Sequence, residues 1–166
     1  ILVESVAPAP VDPAVAVAAR ALGARIAEAL GAVGLVTAEL FLLHDGTLAV
    51  NELAPRVHNS GHWTIEGAHT SQFEQHVRAI CGLPLGDPTA FGPTAMVNLL
   101  GTGEPREARL VGVAEALVDP RVHLHVYDKR IVFERRKMGH LSVAGAADVE
   151  DGLARGRAAL AKLRWA

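Results

Sequence analysis

Apolar and polar positions along this chain follow two rhythms. Short apolar runs bounded by turn residues, ILVES, GLVTAELFLL, TLAVNEL and TAMVNLLG, predict strands. Between them the apolar positions recur at helical spacing. VDPAVAVAARALGARIAEALG reads as a helix, with Asp12 as N-cap, Pro13 at the first helical position and Gly31 just past the end. In TSQFEQHVRAICG, Ser71 and Glu74 match a capping box, Phe73, Val77 and Ile80 line one face, and Gly82 stops the helix. DVEDGLARGRAALAKLR is a third helix, capped by Asp148. The HDG step joins GLVTAELFLL to TLAVNEL as an antiparallel hairpin over residues 33 to 53. Residues 54 to 64 then form a loop anchored by Pro55 and Gly61. LPLGDPTAFGP, rich in proline and glycine, places a boundary near residue 88, dividing the chain into 1–88 and 89–166. Beyond it, REARLVGVAEALVDP is expected to be helical in part, and VHLHVYDKRIVFERRKMGHLSVAG to form two or three short strands. The fold class that results is α+β.

Composition narrows the function. The 166 residues are half apolar, enough for a core of useful size. Sixteen Lys and Arg against 18 Asp and Glu give a formal charge of −2, which implies no broad basic surface, so nucleic acid is not expected as a partner. Cys81 is the only cysteine, which excludes an internal disulfide and a cysteine-rich zinc site and fits a reducing, cytoplasmic setting. No uncharged apolar stretch reaches membrane-spanning length, and a signal peptide pattern is missing. Opening on strand-like ILVES, without Met, leads to the expectation that further chain lies upstream.

The chemistry concentrates in NELAPRVHNSGHWT, residues 51 to 64, and in one glutamate before it. Pairing across the HDG turn brings Glu39 and Glu52 together on one face, roughly 5 Å apart. Two carboxylates that close repel unless a cation lies between them, and hard oxygen ligands suit Mg²⁺ shared with phosphates. Asn51 offers an amide oxygen beside them. The plainer alternative is a pair of solvated strand glutamates, but Glu39 interrupts the apolar run TAELFLL, where an unpartnered carboxylate is expensive. Arg56 can grip phosphate or carboxylate with two teeth. His58 can donate to an anion or shuttle a proton, with Asn59 and Ser60 beside it. A zinc set of His58, His62 and Glu66 would need a helix that Pro55 and Gly61 disfavour. Downstream, Lys129, Arg130, Arg135, Arg136 and Lys137 form either a solvated surface or a phosphate cradle, and the residue types alone favour the surface. His44, His69, His76, His123 and His125 read as structural.

NELAPRVHNSGHWT followed by TSQFEQHVRAICGLPLG closely resembles the N5-carboxyaminoimidazole ribonucleotide synthetases of the ATP-grasp superfamily, and RKMGH (Arg136 to His140) resembles a second motif of that family. The resemblance runs from Ile1 to the end. It implies the second half of an ATP-grasp core, antiparallel strands with helices, followed by a small β-rich carboxyl-terminal domain with a terminal helix. It implies a ligase of de novo purine biosynthesis that uses ATP and Mg²⁺ to join bicarbonate to 5-aminoimidazole ribonucleotide through carboxyphosphate, as a cytoplasmic homodimer. Under that resemblance Glu39 and Glu52 hold the metal and Asn51 belongs to the nucleotide site. Arg56 and His58 act on bicarbonate or carboxyphosphate beside Asn59 and Ser60, and Lys129 and Arg136 hold the ribonucleotide. Family members are about twice this length, so the isolated piece is expected to be inactive. Asp128 and Arg135 stand where the family pattern has glycine, and a left-handed backbone would tolerate Asp there better than most residues. The formate-dependent glycinamide ribonucleotide transformylases share a similar stretch, but would continue with Asp-Thr-Gly-Met in place of Asn59-Ser60-Gly61-His62. A folded but non-catalytic piece is the reading from outside the enzyme class.

Overall fold

The computed structural model describes residues 1–166. In chain order its elements are β1 (Glu4–Ala7), α1 (Pro13–Ala29), β2 (Thr37–Leu42), β3 (Leu48–Ala54), a 3₁₀ turn (Asn59–Gly61), α2 (Thr64–Gly67), α3 (Gln72–Ile80), β4 (Thr94–Leu100), β5 (Arg106–Glu107), β6 (Leu110–Val111), α4 (Val113–Ala116), β7 (Val122–Val126), β8 (Ile131–Val132), β9 (Lys137–Ala144), α5 (Val149–Leu160) and β10 (Arg164–Trp165).

The core is built on an antiparallel sheet of order β1-β4-β9-β7. β4 and β9 lie at its centre and are buried on both faces, which is why TAMVNLL and MGHLSVA read as runs rather than as alternation. Met96, Val97, Met138, Leu141 and Val143 are sealed from solvent there. α5 lies across β4 and β9 on a face of small residues, Gly152, Gly156 and Ala159. A Cβ added at Gly156 would stand 2.8 Å from a methyl of Val97, so the close approach of helix to sheet requires glycine there. Gly139 plays the same part between β9 and β7, against the carbonyl of His125. No helix is long and apolar enough to cross a membrane.

The caps expected from sequence are in place. Asp12 accepts from the Ala14 N–H at 2.7 Å, and Asp148 from that of Asp151 at 2.8 Å. Ser71 accepts from Glu74 N–H at 3.2 Å, but the Glu74 carboxylate turns to Arg78, so only half of the capping box forms. Phe73, Val77 and Ile80 lie at the surface, and the buried residue of α3 is Gln72.

The structure adds detail to three expectations. REARLVGVAEALVDP is helical in part, as expected: it holds the four-residue α4, which starts after Gly112 at φ +88°, while residues 106–107 and 110–111 are the short strands β5 and β6, the latter paired with β10. The loop expected over 54 to 64 is partly ordered as a 3₁₀ turn, and α2 follows where no helix was anticipated. β1, which precedes the division at residue 88, adds its strand to the sheet of the later unit, and Glu4 there is clamped by Arg157 of α5.

Asp128 and Arg135 are the two non-glycine residues with positive φ, at +50° and +61°. A side chain in the left-handed region costs about 1 kcal/mol, less for Asp than for Arg. Arg135→Gly is expected to raise the melting temperature by about 1–3 °C, and Asp128→Gly by less. Thermal unfolding followed by circular dichroism measures both. A lower melting temperature in Arg135→Gly would show that its side chain contributes more than its backbone costs.

Candidate functional site

β2 and β3 pair antiparallel with Glu39 directly opposite Glu52. The register slips just after Glu39, so that Leu40 pairs with Val50 and Asn51 is the extra residue of a β-bulge. A bulge re-aims side chains that alternation would send to the far face. Here it lets the Asn51 amide donate to Glu39 Oε2 at 3.2 Å. The strand end then turns through Pro55 to His58, which caps the 3₁₀ turn. His58 Nδ1 is 2.9 Å from Ser60 Oγ, and its Nε2 is 3.4 Å from Glu39 Oε1. One donor atom each from Glu39, Glu52 and His58 lie within 4.8 Å of one another.

These residues border a cleft of about 630 Å³, with Ser60 and Lys137 also on its wall and Leu2 and Leu40 on its apolar side. The two carboxylates face each other with His58 the only imidazole between them, a donor set of hard oxygens that fits a divalent cation such as Mg²⁺. Lys137, at the start of β9, brings a positive charge to the same cleft from the later part of the chain.

Other residues singled out in the sequence lie elsewhere. Arg56 is exposed, and its Nη1 donates to the Val57 carbonyl at 3.0 Å. Asn59 is not on the cleft wall and exchanges two amide hydrogen bonds with the buried Asn98, at 2.9 and 2.7 Å. Asn98 also donates to the Leu2 carbonyl, so three distant segments meet there. Lys129 donates to the Lys137 carbonyl at 2.6 Å and lies 5.6 Å from the Tyr127 ring centre. Burial first, then Arg136 and Lys137, lower its pKa. Arg136 donates to the Ile131 carbonyl at 2.6 Å and stacks 5.0 Å from the Phe133 ring. The carboxylates, Asn51, His58 and Ser60 are thus gathered, whereas Lys129 and Arg136 flank the backbone leading into Lys137. Sequence reasoning grouped Lys137 with a surface cluster; the one available signal was its place inside RKMGH.

The zinc set is dispersed. His58 serves Glu39 and Ser60, His62 Nδ1 meets Gln72 Nε2 at 2.7 Å, and Glu66 pairs with His125 at 2.6 Å. Behind the cleft lies an aromatic cluster that sequence reasoning did not foresee. The His125 and His140 rings stack at 4.5 Å, His62 is 5.1 Å from His140, and Tyr127 Oη is 2.8 Å from His140 Nδ1. Burial, helped by the neighbouring imidazoles, holds His140 at about 3 and His62 at about 4, and burial pushes Tyr127 up to about 12. His76 accepts from the Leu35 N–H at 3.0 Å, a structural role as expected.

Comparison with known proteins matches this geometry to a family. Residues 1–73 match the ATP-grasp domain, and residues 94–151 match the phosphoribosylaminoimidazole carboxylase C-terminal domain. The N5-carboxyaminoimidazole ribonucleotide synthase of Bacillus subtilis is 46% identical over 142 residues, and that of Mycobacterium tuberculosis H37Rv 48% identical over 147. These alignments cover 86% and 85% of this chain but only 36% and 34% of the relatives, so the chain spans about a third of their length. Among solved structures, the synthetase of Thermotoga maritima superposes with a TM-score of 0.91 at 44% identity, covering 96% of this chain and 44% of that one. The Aspergillus clavatus enzyme in complex with ADP and 5-aminoimidazole ribonucleotide gives 0.86 at 32% identity, covering 98% and 43%. Two domain models matched in order, and a backbone shared with enzymes of one activity, agree with the motifs on either side of the cleft: the chain belongs to the N5-carboxyaminoimidazole ribonucleotide synthase family of ATP-grasp proteins.

Proposed function

We propose that this chain is part of an ATP-dependent ligase that carboxylates 5-aminoimidazole ribonucleotide with bicarbonate, releasing ADP and phosphate by way of carboxyphosphate. The observation that carries the reading is the Glu39–Glu52 pair, set opposite across a bulged hairpin with His58 against it. Glu39 and Glu52 would hold Mg²⁺ and Asn51 would orient Glu39 at the nucleotide side. Held by those carboxylates, a divalent cation would neutralise charge on the ATP phosphates, which phosphoryl transfer requires more than covalent help.

His58 and Ser60 border the same cleft and can donate to the bicarbonate or carboxyphosphate oxygens. Arg56, one turn earlier and exposed, is free to swing onto the same anion. Asn59 acts through its amide pair with Asn98, holding the His58 turn to β4. Lys129, Arg136 and Lys137 supply the cationic ground for the ribonucleotide phosphate. The working protein is taken to be a cytoplasmic homodimer.

Because the chain spans about a third of its relatives, the catalytic unit is the longer protein and the isolated chain is expected to be silent. The test offers the full-length enzyme aminoimidazole ribonucleotide with bicarbonate, and separately glycinamide ribonucleotide with formate. ADP release is expected with the first pair only. Release with the second pair alone would move the chain to the transformylases, and turnover by the isolated 166 residues would refute its inactivity.

A further inference from the structure

We propose that Gln72 is a positioning residue that sets where the His58 imidazole stands relative to Glu39 and Glu52. The proposal rests on the role given to His58 above. Gln72 is the first residue of α3 and is 6% exposed. It touches neither carboxylate and is not on the cleft wall. Instead its amide grips both main-chain groups of one residue. Oε1 accepts from His58 N–H at 3.0 Å, and Nε2 donates to the His58 carbonyl at 2.7 Å. The orientation of the amide is fixed by these partners, since an N–H can only donate and a carbonyl only accept. Nε2 is therefore also the donor to His62 Nδ1 at 2.7 Å, which places the proton of that neutral ring on Nε2.

The helix start is tied to the same turn by a second route. Gln72 N–H donates to Thr64 Oγ1 at 2.9 Å, and that hydroxyl donates to the Gly61 carbonyl at 2.6 Å. Gly61 makes room for the amide: a Cβ there would stand 2.6 Å from Gln72 Oε1 and 2.9 Å from Cδ. Its backbone lies outside the left-handed region, so conformation does not demand glycine at this position; the Gln72 amide does. The arrangement matters because His58 sits on a loop, and a loop holds an imidazole to a fraction of an ångström only when its main chain is clamped.

The experiment uses the full-length enzyme with Gln72→Met, Gly61→Ala, Gln72→Ala, the double variant Gly61→Ala/Gln72→Ala, and His58→Ala. Gln72→Met keeps the volume and removes the hydrogen bonds. It is expected to lower kcat roughly 10- to 100-fold while KM for the ribonucleotide stays within about twofold, as for a misplaced rather than a missing group. Gly61→Ala should reproduce that loss by displacing the amide. In the Gln72→Ala background the same alanine should add less than about twofold, because nothing remains to displace. A purely structural role would lower the melting temperature without this coupling. Should Gln72→Met fail to fold, Gly61→Ala with Gln72 intact carries the test.

Normal kcat in Gln72→Met, or an equal Gly61→Ala effect with and without Gln72, overturns the proposal. A crippled His58→Ala beside an unimpaired Gln72→Met overturns the positioning role alone. Full turnover in His58→Ala overturns the role of His58 itself, and the proposal with it.

Discussion

Glu52→Gln is expected to cost the full-length enzyme roughly 10³-fold in kcat, about 4 kcal/mol of transition-state stabilisation. The substitution keeps the length of the side chain and one oxygen, and removes one of the two charges facing the cation site. Glu52 lies exposed on β3, opposite Glu39 in register, so the fold has little to lose. Like charges directly opposite one another on a sheet destabilise it. The same variant should therefore be neutral or slightly more stable, by up to about 0.5 kcal/mol, in urea unfolding of the chain without metal. Opposite signs for turnover and stability are the signature of a residue kept for its charge. ADP release assayed alongside urea midpoints reads both. Near-normal turnover would end the assignment of Glu52 as a metal ligand. A loss of stability matching the loss of activity would make it a structural residue.

The acid pair was legible because three local signals agree: an acid inside TAELFLL, a tight turn at HDG, and NEL on the return strand. Strand period and turn position together decide which side chains face each other. The bulge was not legible, since Asn51 looks like an ordinary alternating position until the pairing on both sides of it is known. The left-handed backbone at Asp128 was anticipated from a residue standing where glycine is usual, and Arg135 proved to share it.

Long-range pairing escaped the reading. β1 joins a partner more than 85 residues later, and nothing in ILVES specifies β4 over any other strand. Burial of polar groups escaped for a related reason. Asn98, His140 and Ser142 sit in runs whose apolar neighbours mark a buried strand, but only the assembled sheet shows that the polar members are buried as well. Gln72 is the sharpest case. The helical period puts Phe73, Val77 and Ile80 on one face of α3, and that face is exposed, whereas the polar Gln72 between the capping residues is buried and holds the His58 turn.

Acid should destabilise the isolated chain through its buried imidazoles. His140 and His62 are held at about 3 and about 4 in the fold, against 6.5 for a free imidazole. Their neutral forms suit the buried cluster, and the unfolded chain takes up protons first as pH falls. Between pH 6.5 and the folded values the unfolded state binds more protons, so stability is fully present above 6.5 and drains away below it. By pH 5 each ring accounts for about 2 kcal/mol, together about 4 kcal/mol if the two act independently. That is a large share of a net stability of roughly 5–15 kcal/mol. The carboxylates with lowered values, Glu4, Asp45, Asp87, Asp119 and Asp151, start from 4.5 or 3.8 and contribute chiefly below this window. Urea unfolding at pH 7, 6 and 5 isolates the imidazoles for that reason. His140→Leu removes one of the two protons. Its stability at pH 7 will fall, because Tyr127 loses its partner, but the further loss from pH 7 to pH 5 should shrink by about half. An undiminished loss in His140→Leu would place the acid sensitivity outside this cluster, and a flat profile in the unmodified chain would mean that the buried rings meet protons more readily than their packing allows.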